Sequence, residues 1–171
     1  MNKITLTFRY TLHTLLIALL LLVATPLYAF SDLNKQQPIA IQDLVGKGRW
    51  TVFEIWDSSC LICRDTIHEI TRFSTSFPNA DVYGISTDGT MGRSDALAFV
   101  REHHLQFPHI LTHFVEMSDF LLTHAGERLI GTPTLMLYTP EGQLLAVQPG
   151  PVTAKELIAF IQNEERLRAA Q

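Results

Sequence analysis

Cysteine is scarce: two residues in a chain of 171, too few for the framework of a disulfide-stapled miniprotein. Nine glycines and eight prolines are likewise too few for a collagen-like or low-complexity chain. Positive charge is thin as well, with 13 Lys and Arg against 17 Asp and Glu and a formal net of −4, so composition offers no basic surface to nucleic acid. No second CxxC and no paired histidine follows at ligand spacing, which disfavours a structural zinc site. What is present is apolar: 47% of residues are hydrophobic and 18% charged, which excludes disorder. The length suits one ordinary domain able to bury about two-thirds of its unfolded surface.

Residues 1–29 differ in kind from the remainder. Met1 to Tyr10 carries Lys3 and Arg9 and no acid, and Leu12 to Ala24 is apolar except for His13 and Thr14. Pro26 and the small Ala29 follow, before a polar stretch that begins around Ser31. A positive start, a short apolar centre and a small residue at the exit are the layout of a secretory signal peptide, cleaved after Ala29. The alternative is an uncleaved N-terminal anchor, but the apolar run is shorter than the ~20 residues a spanning helix needs. In either case the remaining chain is expected to be exported, with Lys3 and Arg9 left on the cytoplasmic side. Without residues 1–29 the chain has 11 positive charges against 17 negative ones, a net of −6, which disfavours anionic membranes and polyanions as partners.

Residues 30–38 read as a flexible polar leader, and residues 39–171 as one domain with no internal repeat or linker. Ile39 to Val45 is a short strand or turn before the Gly46-Lys47-Gly48 break. Trp50 to Trp56 (WTVFEIW) has the β-branched and aromatic composition of a buried strand. Ile62, Ile67, Ile70 and Phe73 recur at helical spacing, and Pro78-Asn79 ends that segment. Val82 to Ser86 is a second strand, Ser94 to His103 a helix, Pro108 to Leu111 a short apolar piece, and Glu116 to His124 another helix. Thr134 to Tyr138 and Leu144 to Gln148 form a hairpin about Pro140-Glu141-Gly142. Thr153 with Glu156 is a capping-box pattern that opens a last amphipathic helix. The order β-α-β-α-β-α-β-β-α predicts an α/β fold with a mixed sheet, because the final hairpin must be antiparallel.

The chemistry sits in Cys60-Leu61-Ile62-Cys63, where the buried strand gives way to a helix. Two cysteines in the first turn of a helix can close a small disulfide while the first stays exposed. Unpaired N–H groups and the partial positive charge at that terminus favour the thiolate. Cys60 is therefore the expected nucleophile, and Cys63, one turn further in, the resolving thiol. A purely stabilising bridge is disfavoured, because so small a loop removes little entropy from the unfolded chain. A Cu(I) module using Cys60 and Cys63 as thiolate ligands is the alternative from another class. His103, His104, His109 and His113 cluster in sequence near Met117, but adjacent helical residues point about 100° apart, so no metal site is expected there.

These residues resemble thioredoxin-like proteins, and the domain resembles the exported TlpA/ResA/CcmG-type branch. The resemblance spans Ile39 to Leu167 and rests on FEIWDSSC, on Gly131-Thr132-Pro133-Thr134 and on the hairpin turn Pro140-Glu141-Gly142. Phe107-Pro108, Gly150 and the final helix fall in the same order. It implies a thioredoxin fold, a central mixed β-sheet flanked by helices, with CxxC at the tip of the first long helix.

By the same resemblance, Pro133 matches the family's cis-proline, which with Thr132 shapes the substrate groove beside the cysteines. Trp56 matches the tryptophan that packs against the active-site turn and is counted with that groove. Glu54, six residues before Cys60, stands where thioredoxins carry a buried acid near the resolving cysteine. Burial should raise its pKa and fit it to take the proton of Cys63; a Glu54 facing solvent from an edge strand is the bland alternative. Ser59 replaces the usual Trp before the first cysteine, which leaves substrate preference open. Leu61-Ile62 contains no His or cation to stabilise the thiolate further, so a reducing couple is expected rather than an oxidase of the same fold. Arg64 reads as a solvated charge, and His68 as exposed helix surface.

The reading is a monomeric, exported protein-disulfide oxidoreductase that needs no cofactor and binds no nucleic acid. The resemblance implies disulfide-containing envelope proteins as substrates, among them apocytochrome c thiols, and a DsbD-type membrane protein as electron donor.

Overall fold

Trp50–Trp56 forms β2, and every one of its seven residues is buried. It runs parallel to β3 (Ala80–Ser86) on one side and antiparallel to β5 (Thr134–Tyr138) on the other. A strand covered on both faces reads as a near-continuous apolar run, which is why WTVFEIW is legible. The computed structural model describes residues 30–170; the expected signal peptide and its cleavage site lie outside them.

Beyond β3 lies β4 (His109–Leu111), parallel to it, and beyond β5 lies β6 (Leu144–Pro149), antiparallel. Four α-helices flank this sheet among the described residues: α1 (Leu61–Ser76), α2 (Arg93–Glu102), α3 (Phe114–Ala125) and α4 (Ala154–Ala169). Ile39 to Val45 contains a single 3-10 turn, Ile41–Asp43, rather than a strand. The Gly142 turn between β5 and β6 needs its glycine, since the backbone there has φ +86°. Thr153 and Glu156 bond each other's backbone N–H at 3.0 and 3.2 Å, the reciprocal cap that starts α4.

The stretch expected as a flexible leader is instead built into the sheet. Ser31–Asp32 forms β1, which pairs antiparallel with β4, so the strand order is β1-β4-β3-β2-β5-β6. Two apolar anchors in the polar segment, Phe30 and Leu33, are buried on either side of it. Asp32 closes the following turn by accepting from the backbone N–H of Asn34 and Lys35. An edge strand covered in this way is no longer open to pairing with another chain.

Period-two alternation splits the core. Trp50, Val52 and Trp56 of β2 pack with α1, α2 and α4 through Cys63, Ile67, Phe73, Phe99, Leu157 and Ile161. Phe53 and Ile55 point the other way, to Met117, Phe120 and Leu121 of α3. Among the described residues no helix is long and apolar enough to cross a membrane.

Candidate active site

The chain leaves β2 through Asp57-Ser58-Ser59 and enters α1 at Cys60, which is the N-cap residue with extended backbone angles. Cys60 and Cys63 are joined in a disulfide, their Cα atoms 5.3 Å apart. Cys60 is half-buried at the protein surface, whereas Cys63 is 1% exposed. The backbone N–H of Cys63 donates to Cys60 Sγ at 3.1 Å. A thiolate at that position is therefore met by a backbone donor and by the positive end of α1.

The turn before Cys60 is held by two carboxylates and one guanidinium. Asp57 accepts from the backbone N–H and the hydroxyl of Ser59, at 2.9 and 2.6 Å. Asp88, in the loop after β3, accepts from the Ser58 N–H at 3.2 Å, from the Ser86 hydroxyl at 2.6 Å and from the Ser58 hydroxyl. Arg64 donates through Nε and Nη2 to the Ser58 carbonyl at 3.2 and 2.9 Å. It is thus a clasp on the active-site turn rather than only a solvated charge. Sequence reasoning missed Asp88, because 28 residues and a helix separate it from Cys60. The signal available was a run of small polar residues at the end of β3, Ser86-Thr87-Asp88.

Thr132–Pro133 is a cis peptide bond at the start of β5. The Thr132 carbonyl oxygen lies 3.3 Å from Cys60 Sγ, so β5 and α1 bring the predicted proline and cysteine segments together. Around the disulfide, Leu61 and Ile62 are exposed on α1, and Ile130, 80% exposed, stands just before Gly131. Exposed apolar side chains therefore follow Cys60 on α1 and precede the Thr132–Pro133 segment that touches it.

Trp56 takes a different place from the one expected. It is fully buried and stacks on Phe99 with ring centroids 4.4 Å apart, so it supports the site from beneath and lines no groove. Glu54 is buried on the central strand, which excludes the solvent-facing edge position. Alternation places it on the same face as Trp56 and Cys63, and loss of solvent pushes its carboxyl up to about 8. The four clustered histidines disperse: His103 ends α2, His113 caps α3, His104 sits at positive φ, and His109 is buried in β4. His68 is exposed and pairs with Glu69 at 3.0 Å.

No protein-family model and no curated protein matches the chain. Solved structures do. The thioredoxin domain of a thiol-disulfide oxidoreductase from Bacteroides vulgatus is 21% identical, with a TM-score of 0.61 over 78% of this chain and 89% of that one. A thioredoxin-related protein from Neisseria meningitidis serogroup B is 16% identical, with a TM-score of 0.65 over 80% and 98%. A secreted disulfide oxidoreductase of Mycobacterium tuberculosis is 16% identical, with a TM-score of 0.60 over 78% and 92%. At these identities the likeness is one of fold, and with the sheet order, the CxxC pair at the tip of α1 and the cis proline beside it, this chain has the thioredoxin-like fold.

Proposed function

We propose that the protein is an exported thiol–disulfide oxidoreductase that reduces disulfides of cell-envelope proteins. The observation that supports it best is the asymmetry of the pair: an accessible Cys60 at a helix N-terminus bonded to a buried Cys63, with the Thr132 carbonyl and Pro133 alongside. Export follows from the pattern of residues 1–29 and is shared with the secreted Mycobacterium neighbour.

In the reduced protein, the Cys60 thiolate attacks one sulfur of the substrate disulfide. A mixed disulfide forms and the other substrate sulfur leaves as a thiolate. Cys63 passes its proton to the Glu54 carboxylate and attacks Cys60 Sγ, which breaks the mixed disulfide and releases the second substrate thiolate. Two electrons pass to the substrate, and the enzyme is left with the Cys60–Cys63 bridge. A membrane protein of the DsbD type then returns two electrons to that bridge, a supply that an oxidising envelope makes necessary. Leu61, Ile62 and Ile130 fit an extended apolar segment around the substrate's cysteine, such as the haem-binding stretch of an apocytochrome c.

Trapping tests this reading. A Cys63→Ser protein expressed in its own envelope should accumulate mixed disulfides on Cys60, which mass spectrometry identifies. Absence of any trapped partner, together with stoichiometric Cu(I) binding by the wild type, would replace catalysis with metal carriage.

A further inference from the structure

On the α1 side of the sheet, three adjacent strands place Glu54, Gly84 and His109 in one register row: Glu54 pairs with Gly84, and Gly84 with His109. Partners in a parallel ladder project to the same face, so Glu54 and His109 flank a residue that has no side chain. A Cβ on Gly84 would overlap Nδ1 of His109 and would stand 2.8 Å from Nε1 of Trp56. The two rings therefore meet over the glycine, edge to face with centroids 5.7 Å apart. Among the described residues, Trp56 Nε1, both ring nitrogens of His109 and Nε2 of His103 are buried without a hydrogen-bond partner, and the first three meet around Gly84. Native proteins leave few such atoms unpaired, and three in one place call for a common partner.

We propose that Trp56, His109 and Glu54 form one buried hydrogen-bonded chain over Gly84, in which His109 is the positioning residue for the proton that Glu54 exchanges. The donor inventory sets its direction. Trp56 Nε1–H can only donate, so the facing His109 nitrogen accepts, and the other carries the hydrogen that reaches the Glu54 carboxylate directly or through one buried water. When Glu54 is protonated, its carbonyl oxygen still accepts from the same His109 N–H, so the bond from Trp56 is undisturbed. Only a neutral imidazole can accept from Trp56 and donate to Glu54 at once, and burial keeps His109 neutral by lowering its pKa to about 4. The other ionisable groups on this face are otherwise placed, except that Nε2 of His103 is also buried without a partner. Arg64 of α1 is bound to Ser58 and to Glu102 of α2, Arg93 donates to the Leu33 and Asn34 carbonyls, and His103 stacks on the Phe99 ring. Cys63 is held in the disulfide.

The chain itself is independent of the redox reading, but its role in serving Cys63 rests on it, and the test separates the two. Nitrogen-15 NMR of the oxidised wild-type protein should show His109 as a neutral imidazole from about pH 6 to 9. Its ring shifts should carry an inflection at the Glu54 midpoint, which infrared absorption of the carboxyl locates, and Glu54→Gln should abolish that inflection. His109→Phe, which keeps the aromatic contacts, should move the Glu54 midpoint up by about one to two pH units, with partial return in His109→Gln. The pH profile of the Cys63-dependent step should move with it. His109 shifts that ignore the Glu54 titration, or a Glu54 midpoint unmoved in a folded His109→Phe protein, would overturn the proposal. Coupled titrations in a protein that reduces no disulfide would leave the chain standing and remove the redox reading instead.

Discussion

On the α3 side of the sheet, Phe53, Ile55, Ile85 and Ile110 meet Met117, Phe120 and Leu121, with Tyr138 at the margin. On the α1 side the same strands turn Glu54 and His109 inward beside Cys63 and Trp56. One face is hydrocarbon, aromatic and thioether; the other buries a carboxyl that solvent would hold charged and an imidazole that solvent would charge below about pH 6.5. Burying such groups costs stability, so a face selected for packing alone would exclude them. The difference separates the faces: α3 covers a plain core, and α1 covers the buried acid and base to which the proposed mechanism gives the proton transfer behind the disulfide.

The largest contrast comes from truncating one residue on each face. Cys60→Ser should abolish disulfide reduction while lowering the thermal unfolding midpoint only modestly, because the lost bridge spans a sequence separation of only 3. Phe120→Ala should do the reverse. It deletes a fully buried ring of the α3 face and should cost about 3–5 kcal/mol in urea unfolding. The Cys60 alkylation profile against pH should stay where it is in that protein, provided the fraction that remains folded is measured. A Phe120→Ala protein whose thiol reactivity shifted would break the division between faces.

The second test uses pH, and the two buried groups act with opposite signs. Glu54 is raised from 4.5 to about 8 by burial, so its contribution is fully present below 4.5 and is lost as pH climbs towards 8. His109 is lowered from 6.5 to about 4, so its contribution is present above 6.5 and is lost as pH falls towards 4. Between 4.5 and 6.5 the two slopes oppose each other. The net decline should therefore appear between 6.5 and 8, where Glu54 acts alone, with a size of up to about 2 kcal/mol. Urea midpoints of the wild type across that range should fall, and those of Glu54→Gln should stay level. In turnover the same titration should speed the resolving step as pH passes about 8, because only the carboxylate can take the Cys63 proton.

How much of this was readable beforehand follows from the range of each interaction. WTVFEIW, the Thr153–Glu156 cap and the hairpin about Gly142 depend on neighbours within a few positions, and the structure keeps all three. The Cys60–Cys63 pair and the burial of Glu54 were legible for the same reason, since an acid inside an apolar strand is conspicuous. β1 was not, because Ser31–Asp32 is polar and its pairing is imposed by Phe30 and Leu33 finding places in the core. His109 looked like one of four clustered histidines. Its setting emerges only once β3 and β4 are in register and Gly84 is seen to leave room for the ring. Trp56 was assigned to the right neighbourhood but to the wrong side of it: packing behind a site and lining a groove leave the same trace in a sequence.

The smallest effect tests where the active face ends. Arg64 bridges the Ser58 carbonyl of the active-site turn and Glu102 of α2, and its guanidinium stands 5.6 Å over the Phe99 ring. These contacts differ in weight. The ion pair with Glu102 is solvent-exposed and screened, so Glu102→Ala should cost no more than about 0.5 kcal/mol. The two bonds to Ser58 satisfy a half-buried carbonyl two residues before Cys60, and Arg64→Ala should cost about 1 kcal/mol and slow Cys60 alkylation a few-fold. Arg64→Lys keeps the charge but loses the fork that reaches one carbonyl twice, so it should recover only part of the reactivity. If Lys restored the whole of it, the charge near the thiolate would be the operative feature and the clasp on Ser58 incidental. The active face would then extend to the helix surface as a field, rather than stopping at the turn as a set of fixed contacts.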